Sequence, residues 1–168
     1  MGKETEMTFE EYQKEAVKFR LESANNENYL TLGLIAEVGE AAGKLAKQIR
    51  DGVFDEKAFI KELGDILWFV ANLTDFYDKE YDLADSKVLS KAKCFDYRPK
   101  PEEDWKLPLQ LASICCNVYE FSPLDIVYGI AQLAAKFGYT LEQVAEINLA
   151  KLRSRANRGV IQGDGDER

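Results

Sequence analysis

Glu37-Val-Gly-Glu40 places two carboxylates at i and i+3, on one face of a helix. Glu62-Leu-Gly-Asp65 repeats the arrangement after a spacer of 21 residues. On antiparallel helices the two pairs face each other. Four carboxylates converging without a basic counterpart repel strongly in an enclosed site, and a divalent cation resolves that conflict. Either pair alone is most simply a solvated helix face. Here each lies in the most apolar part of its helix, between Leu34-Ile35 and Ala41-Ala42 and between Ile60 and Ile66-Leu67-Trp68. Each pair also encloses a glycine. The chain has no histidine. That excludes His-ligated zinc, Ser-His-Asp and Cys-His triads, and di-iron bundles built on Glu-x-x-His. A metal site must then be made of carboxylates, which suit a hard ion such as Mg²⁺ or Mn²⁺.

Other side chains sit at useful spacings around these acids. Trp68, Phe69 and Asn72 follow Asp65 by three, four and seven residues. An aromatic and an amide there offer a stacking face and hydrogen-bonding groups, although core packing is the commoner fate of Trp68 and Phe69. Asn72, inside an otherwise apolar helix, needs a partner if buried. Lys44 and Lys47 follow Glu40 by one and two turns; plain surface lysines are the simplest reading of them. Asn148, Lys151 and Arg155 share one face of the last helix.

The elements that must position these residues are helical. Thr8 with Glu11 forms a capping box and opens a helix from Phe9 to about Leu21. A second helix is expected from Tyr29 to Arg50, stopped by Asp51-Gly52, and a third from near Asp55 through Tyr77 or beyond. Glycines 33, 39, 43 and 64 lie inside these helices and predict close approach of a neighbouring helix or a ligand. Residues 82–106 read as mixed and polar. Helices follow over Leu107–Phe121 and from Pro123 to Gly138, and a second capping box at Thr140 and Gln143 opens a last helix to about Asn157. No segment alternates with period two long enough to argue a sheet, so the fold class is all-α. Asp65–Leu73 also resembles Asp125–Leu133, a degenerate internal echo in which Ile114 and Asn117 stand opposite Glu37 and Glu40.

With 168 residues the chain suits one domain, and Lys+Arg 22 against Asp+Glu 30 gives a net charge of −8. Such acidity argues against nucleic-acid or anionic-membrane partners. Cys94, Cys115 and Cys116 are expected as buried, reduced thiols of a cytoplasmic protein. No secretory signal or membrane span is expected.

Gly33–Gly43 followed by Glu62–Trp68 resembles the MazG-type all-α nucleoside triphosphate pyrophosphohydrolases, whose signature is Glu-x-x-Glu, a spacer, then Glu-x-x-Asp. The likeness takes in Phe9–Gln13, Phe137–Arg155 and the tail Arg158–Arg168, about two thirds of the chain. Two features depart from the family pattern. Residues 82–134 look like an inserted helical segment, and Ala36 stands where many members carry an acid.

The resemblance implies an antiparallel helical bundle that hydrolyses a (deoxy)nucleoside triphosphate to the monophosphate and pyrophosphate. It implies that Glu37, Glu40, Glu62 and Asp65 hold Mg²⁺, with Mn²⁺ as substitute, and that Glu37 or Glu40 takes the proton of the attacking water. Asn148, Lys151 and Arg155 match the family's phosphate-contacting end, Lys44 and Lys47 are placed to reach phosphates as well, and Trp68, Phe69 and Asn72 to stack on and hydrogen-bond the base. Deoxynucleotides are the first expected substrates; phosphoribosyl-ATP, a damaged nucleotide, or a non-catalytic interaction module are the alternatives. A homodimer or homotetramer is expected, as is a tail over 159–168 that closes as a flap.

Overall fold

A computed structural model describes residues 7–100 and 107–160, and all of its regular elements there are helices. They are α1 (Phe9–Ala16), α2 (Glu27–Asp51), α3 (Glu56–Tyr81), α4 (Asp85–Lys91), α5 (Leu107–Glu120), α6 (Pro123–Lys136) and α7 (Leu141–Asn157). The expected all-α class is what the chain adopts. Both capping boxes form. Thr8 Oγ1 accepts from the Glu11 amide, and Thr140 Oγ1 from the Gln143 amide. Asp55 caps α3 by accepting from Ala58 N at 2.9 Å. Gly52 ends α2 in the left-handed conformation, φ 71°.

Helix α1 stops short of the expected Leu21, giving way to 3-10 turns at Val17–Phe19 and Glu22–Ala24. Helix α3 explains the break. The Trp68 indole donates to the Ala16 carbonyl at 3.1 Å, and Arg20 donates to the Asn72 carbonyl at 3.0 Å while pairing with Asp75 at 2.7 Å. The Ala16 carbonyl, which a longer helix would use internally, is thus taken by α3, and the Arg20 side chain anchors the following turn there. Helix α4 interrupts the segment read as irregular. Its first amides, of Asp85 and Ser86, donate to the Asp78 carboxylate at 2.5 and 3.0 Å, so the preceding helix caps it.

All seven helices share one hydrophobic core. Helices α2 and α3 form the principal hairpin and α5 and α6 a second; α5 packs on α2 and α6 on α3. The internal echo therefore falls on two hairpins that stack as a four-helix bundle. Ile114, the counterpart of Glu37 in the echo, is fully buried, and its Cγ1 would stand 2.7 Å from a Cβ placed on Gly129. The second hairpin thus carries core where the first carries acid. Helix α7 lies along α1 and α3, with Phe137 against Phe54 and Phe59 where α3 begins.

The cysteine expectation holds for one residue of three. Cys94 is buried, but Cys115 and Cys116 are exposed because α5 turns that face away from the core; all three are free thiols. Residues 161–168 of the expected flap lie outside the described residues. Two of the four helical glycines in α2 and α3 meet a neighbour. A Cβ on Gly33 would overlap the Phe69 ring at 2.2 Å, and one on Gly64 would stand 3.0 Å from Asn148 Cβ and 3.4 Å from the Val144 carbonyl. Gly39 and Gly43 have nothing within 4 Å.

These glycines predict opposite substitutions. Gly64→Val should lower the unfolding free energy by about 1–3 kcal/mol, because α7 must move off α3. Gly39→Ala should raise it by about 0.5–1 kcal/mol, since helix propensity improves in open space. Urea unfolding of both variants measures the contrast.

Candidate active site

The antiparallel pairing of α2 and α3 brings the two acid pairs together. One carboxylate oxygen from each of Glu37, Glu40 and Glu62 lies within 4.8 Å of the others. Oxygens around an octahedral Mg²⁺ stand about 3.0 Å apart when neighbouring and about 4.2 Å when opposed, so these three side chains must draw inward to share one hard cation. Glu40 is exposed, Glu37 half-buried and Glu62 only 1% exposed, so the group grades from solvent into the core.

Asp65 stands beside this group on a network of its own. Its Oδ1 accepts from Asn148 Nδ2 at 3.0 Å, and its Oδ2 pairs with the Lys151 ammonium. The Tyr12 hydroxyl donates to Asn148 Oδ1 at 2.9 Å, which fixes the amide's orientation. Tyr12 is fully buried, and burial together with the Asp65 charge holds its phenol well above its ordinary pKa. Three helices, α1, α3 and α7, thus converge on one carboxylate, and the close approach at Gly64 is what lets α7 reach it. Nothing local marks Tyr12 for this role, because 136 residues separate it from Asn148.

The acids do have basic counterparts. Lys44 Nζ lies 3.2 Å from Glu62 Oε1, and Lys151 is on Asp65 with its side chain only 12% exposed. Even so, Glu37 is pushed up to about 8, first by burial and then by Asp65, Glu40 and Glu62, with Lys151 opposing. Crowding of like charge therefore survives at Glu37, beside the ion pairs of Glu62 and Asp65.

The remaining candidates are distributed less evenly. Arg155 is buried, on the same helix as Asn148 and Lys151. Lys47 is exposed and its charge acts on Asp51, away from the acid group. Trp68 is partly exposed with its indole N–H committed to Ala16, and its ring meets Phe69 edge-on at 4.8 Å. Phe69 is 7% exposed over Gly33. Asn72 is fully buried; its Nδ2 donates to the Trp68 carbonyl at 2.8 Å, and its Oδ1 has no hydrogen-bond partner among the described residues. An orphan acceptor of this kind costs free energy, about 1–3 kcal/mol, so it calls for a partner.

Comparison with known proteins agrees with the resemblance drawn from the motifs. Residues 25–94 match the family model of the MazG nucleotide pyrophosphohydrolase domain. The match spans both acid pairs and runs past residue 82, into the segment read as an insertion. The chain is also similar to the Gene 37 protein of Mycobacterium phage L5, 28% identical over 146 residues that cover 84% of this chain and 75% of that protein. No solved structure matches.

The Glu37 shift has a consequence for stability. The folded state holds this proton more tightly than the unfolded chain does, so its contribution is full below the unfolded value near 4.5 and is lost as pH rises through about 8. In chelator, the melting temperature should fall across that window, and Glu37→Gln should flatten the fall. Thermal melts of both proteins at several pH values measure it; parallel curves would refute the assignment.

Proposed function

We propose that this chain is a divalent-metal-dependent nucleotide pyrophosphohydrolase that converts a (deoxy)nucleoside triphosphate to the monophosphate and pyrophosphate. The observation that carries this reading is the convergence of the Glu37, Glu40 and Glu62 oxygens within 4.8 Å, inside the stretch that matches the MazG domain. Mg²⁺ is the expected ion and Mn²⁺ its substitute, held by these three residues with Asp65 at hand. When bound, such a cation supplies Lewis-acid charge at the phosphates and makes water a readier proton donor.

The chain's own residues do the rest. Lys151, Arg155 and Asn148 lie on one helix beside the acids and receive the phosphate oxygens, with Lys44 on the facing helix. Water attacks the α-phosphorus, the α–β bridging oxygen leaves with pyrophosphate, and the proton of the water passes to a carboxylate. Glu37 or Glu40 of α2 is that acceptor, and burial with its acidic neighbours strengthens Glu37 as a base. The base would lie toward Trp68, Phe69 and Asn72, where the unpaired Asn72 Oδ1 suits an amino or imino donor. Deoxynucleotides are the first substrates to try.

The reading extends to assembly and location. Leu32, Ile35, Ile49 and Val53 are 67%, 53%, 77% and 75% exposed at or just beyond α2. Apolar exposure on that scale supports the expected homodimer or homotetramer. No helix among the described residues is long and apolar enough to cross a membrane. A cytoplasmic enzyme of nucleotide pools, without nucleic-acid partners, is the setting proposed.

Pyrophosphate release from a panel of ribo- and deoxynucleotides, phosphoribosyl-ATP included, with Mg²⁺ and with chelator, tests the activity and ranks the substrates. Release that requires the cation is expected; no release from any member would sink the proposal. Glu40→Gln and Asp65→Asn should each abolish turnover with the fold retained by circular dichroism, and substantial activity in both would reject the metal assignment.

A further inference from the structure

Two lysines pair with acids of the paired motifs. Lys44 Nζ lies 3.2 Å from Glu62 Oε1, and Lys151 contacts Asp65 Oδ2. Glu62 is 1% exposed, and a carboxylate buried to that degree is held ionised only by positive charge close by. Yet the same carboxylate belongs to the group whose oxygens fit a hard cation. Two positive species therefore compete for Glu62: an ammonium with one charge on a flexible four-carbon stem, and a divalent ion with two. Asp65 poses the same competition a turn away. It stands outside the three-carboxylate group, with Lys151 on one oxygen and Asn148 on the other.

We propose that Lys44 and Lys151 are displaceable counter-ions of the acid cluster. They neutralise Glu62 and Asp65 before a divalent cation arrives, are expelled from those oxygens by it, and carry their charge to the phosphates of the incoming nucleotide. The proposal rests on the nucleotide pyrophosphohydrolase reading and adds to it an order of events. Cation binding unmasks the two ammonium groups, so the phosphate subsite is completed by the metal rather than standing ready beforehand. It also explains how an acidic chain folds these carboxylates into an apolar bundle at all. Lys44 rises from α2 one turn after Glu40, and Lys151 from α7 across from α3, and each flexible stem can leave its carboxylate by side-chain rotation.

The test reads cation binding directly. Mn²⁺ is titrated calorimetrically into the nucleotide-free full chain, into Lys44→Met and Lys151→Met, and into Lys61→Met as control, Lys61 being an exposed neighbour of Glu62. Wild type should bind Mn²⁺. Lys44→Met and Lys151→Met should bind it more tightly, on the order of tenfold, because the competitor is gone. The same two variants should show a raised KM for nucleotide and a lower melting temperature in chelator that Mn²⁺ restores. Opposite signs for cation and nucleotide affinity are the signature that a merely structural lysine would not produce. Lys44→Gln, which keeps a hydrogen-bond donor for the buried carboxylate, carries the measurement if Lys44→Met does not fold. Unchanged or weaker Mn²⁺ binding in the folded variants overturns the exchange while leaving the hydrolase reading intact. Equal tightening in Lys61→Met overturns it too, since only the general field would then be at work. A wild-type chain that binds no divalent cation overturns both.

Discussion

Carboxylates do not gather in an apolar bundle unless something balances their charge, and much of this architecture follows from that constraint. Glu62 is buried to 1% exposure, Glu37 and Asp65 are partly buried, and Glu40 stands in solvent. The balance is spread over three helices. Helix α2 contributes Lys44, α7 contributes Lys151 and Asn148, and α1 contributes Tyr12, which fixes the amide that holds Asp65. Removing any one of these supports leaves a buried charge with less company, which costs far more than the loss of a surface ion pair.

The stacking of two hairpins shows how one helical pattern serves two ends. The α2–α3 hairpin turns acids toward its seam, and the α5–α6 hairpin fills the matching place with Ile114 against Gly129. Burial and the neighbouring charges of Asp65, Glu40 and Glu62 push Glu37 upward, while Glu40, one turn away, remains in solvent.

Much of this was legible beforehand because it is periodic and local. The i, i+3 spacing of the acids, both capping boxes, the Gly52 stop and the all-α class follow from short stretches of chain. The bounds of α1 and the presence of α4 were not legible, because distant groups decide them. The Trp68 indole takes the Ala16 carbonyl that would have carried α1 onward, and Asp78 supplies from α3 the cap that the sequence before Asp85 lacks. The lysine partners of the acids escaped the motif reading for the same reason. Lys44 reads as a phosphate ligand on its own helix, and only the packing of α2 on α3 sets it against Glu62. Of the four glycines at which a neighbouring helix or a ligand was expected, Gly33 and Gly64 meet a neighbouring helix, and Gly39 and Gly43 face open space.

The Tyr12–Asn148–Asp65 chain ties α1 to α7 across 136 residues. Both acid pairs precede α7, and Asn148 and Lys151 follow Asp65 by 83 and 86 residues. A growing polypeptide therefore carries its full complement of clustered negative charge well before half of the groups that offset it exist. The α2–α3 hairpin must wait, electrostatically unfinished, until α7 docks along α1 and α3. Contacts this remote in sequence form late and close large loops, so completion of the site and completion of the fold become a single event.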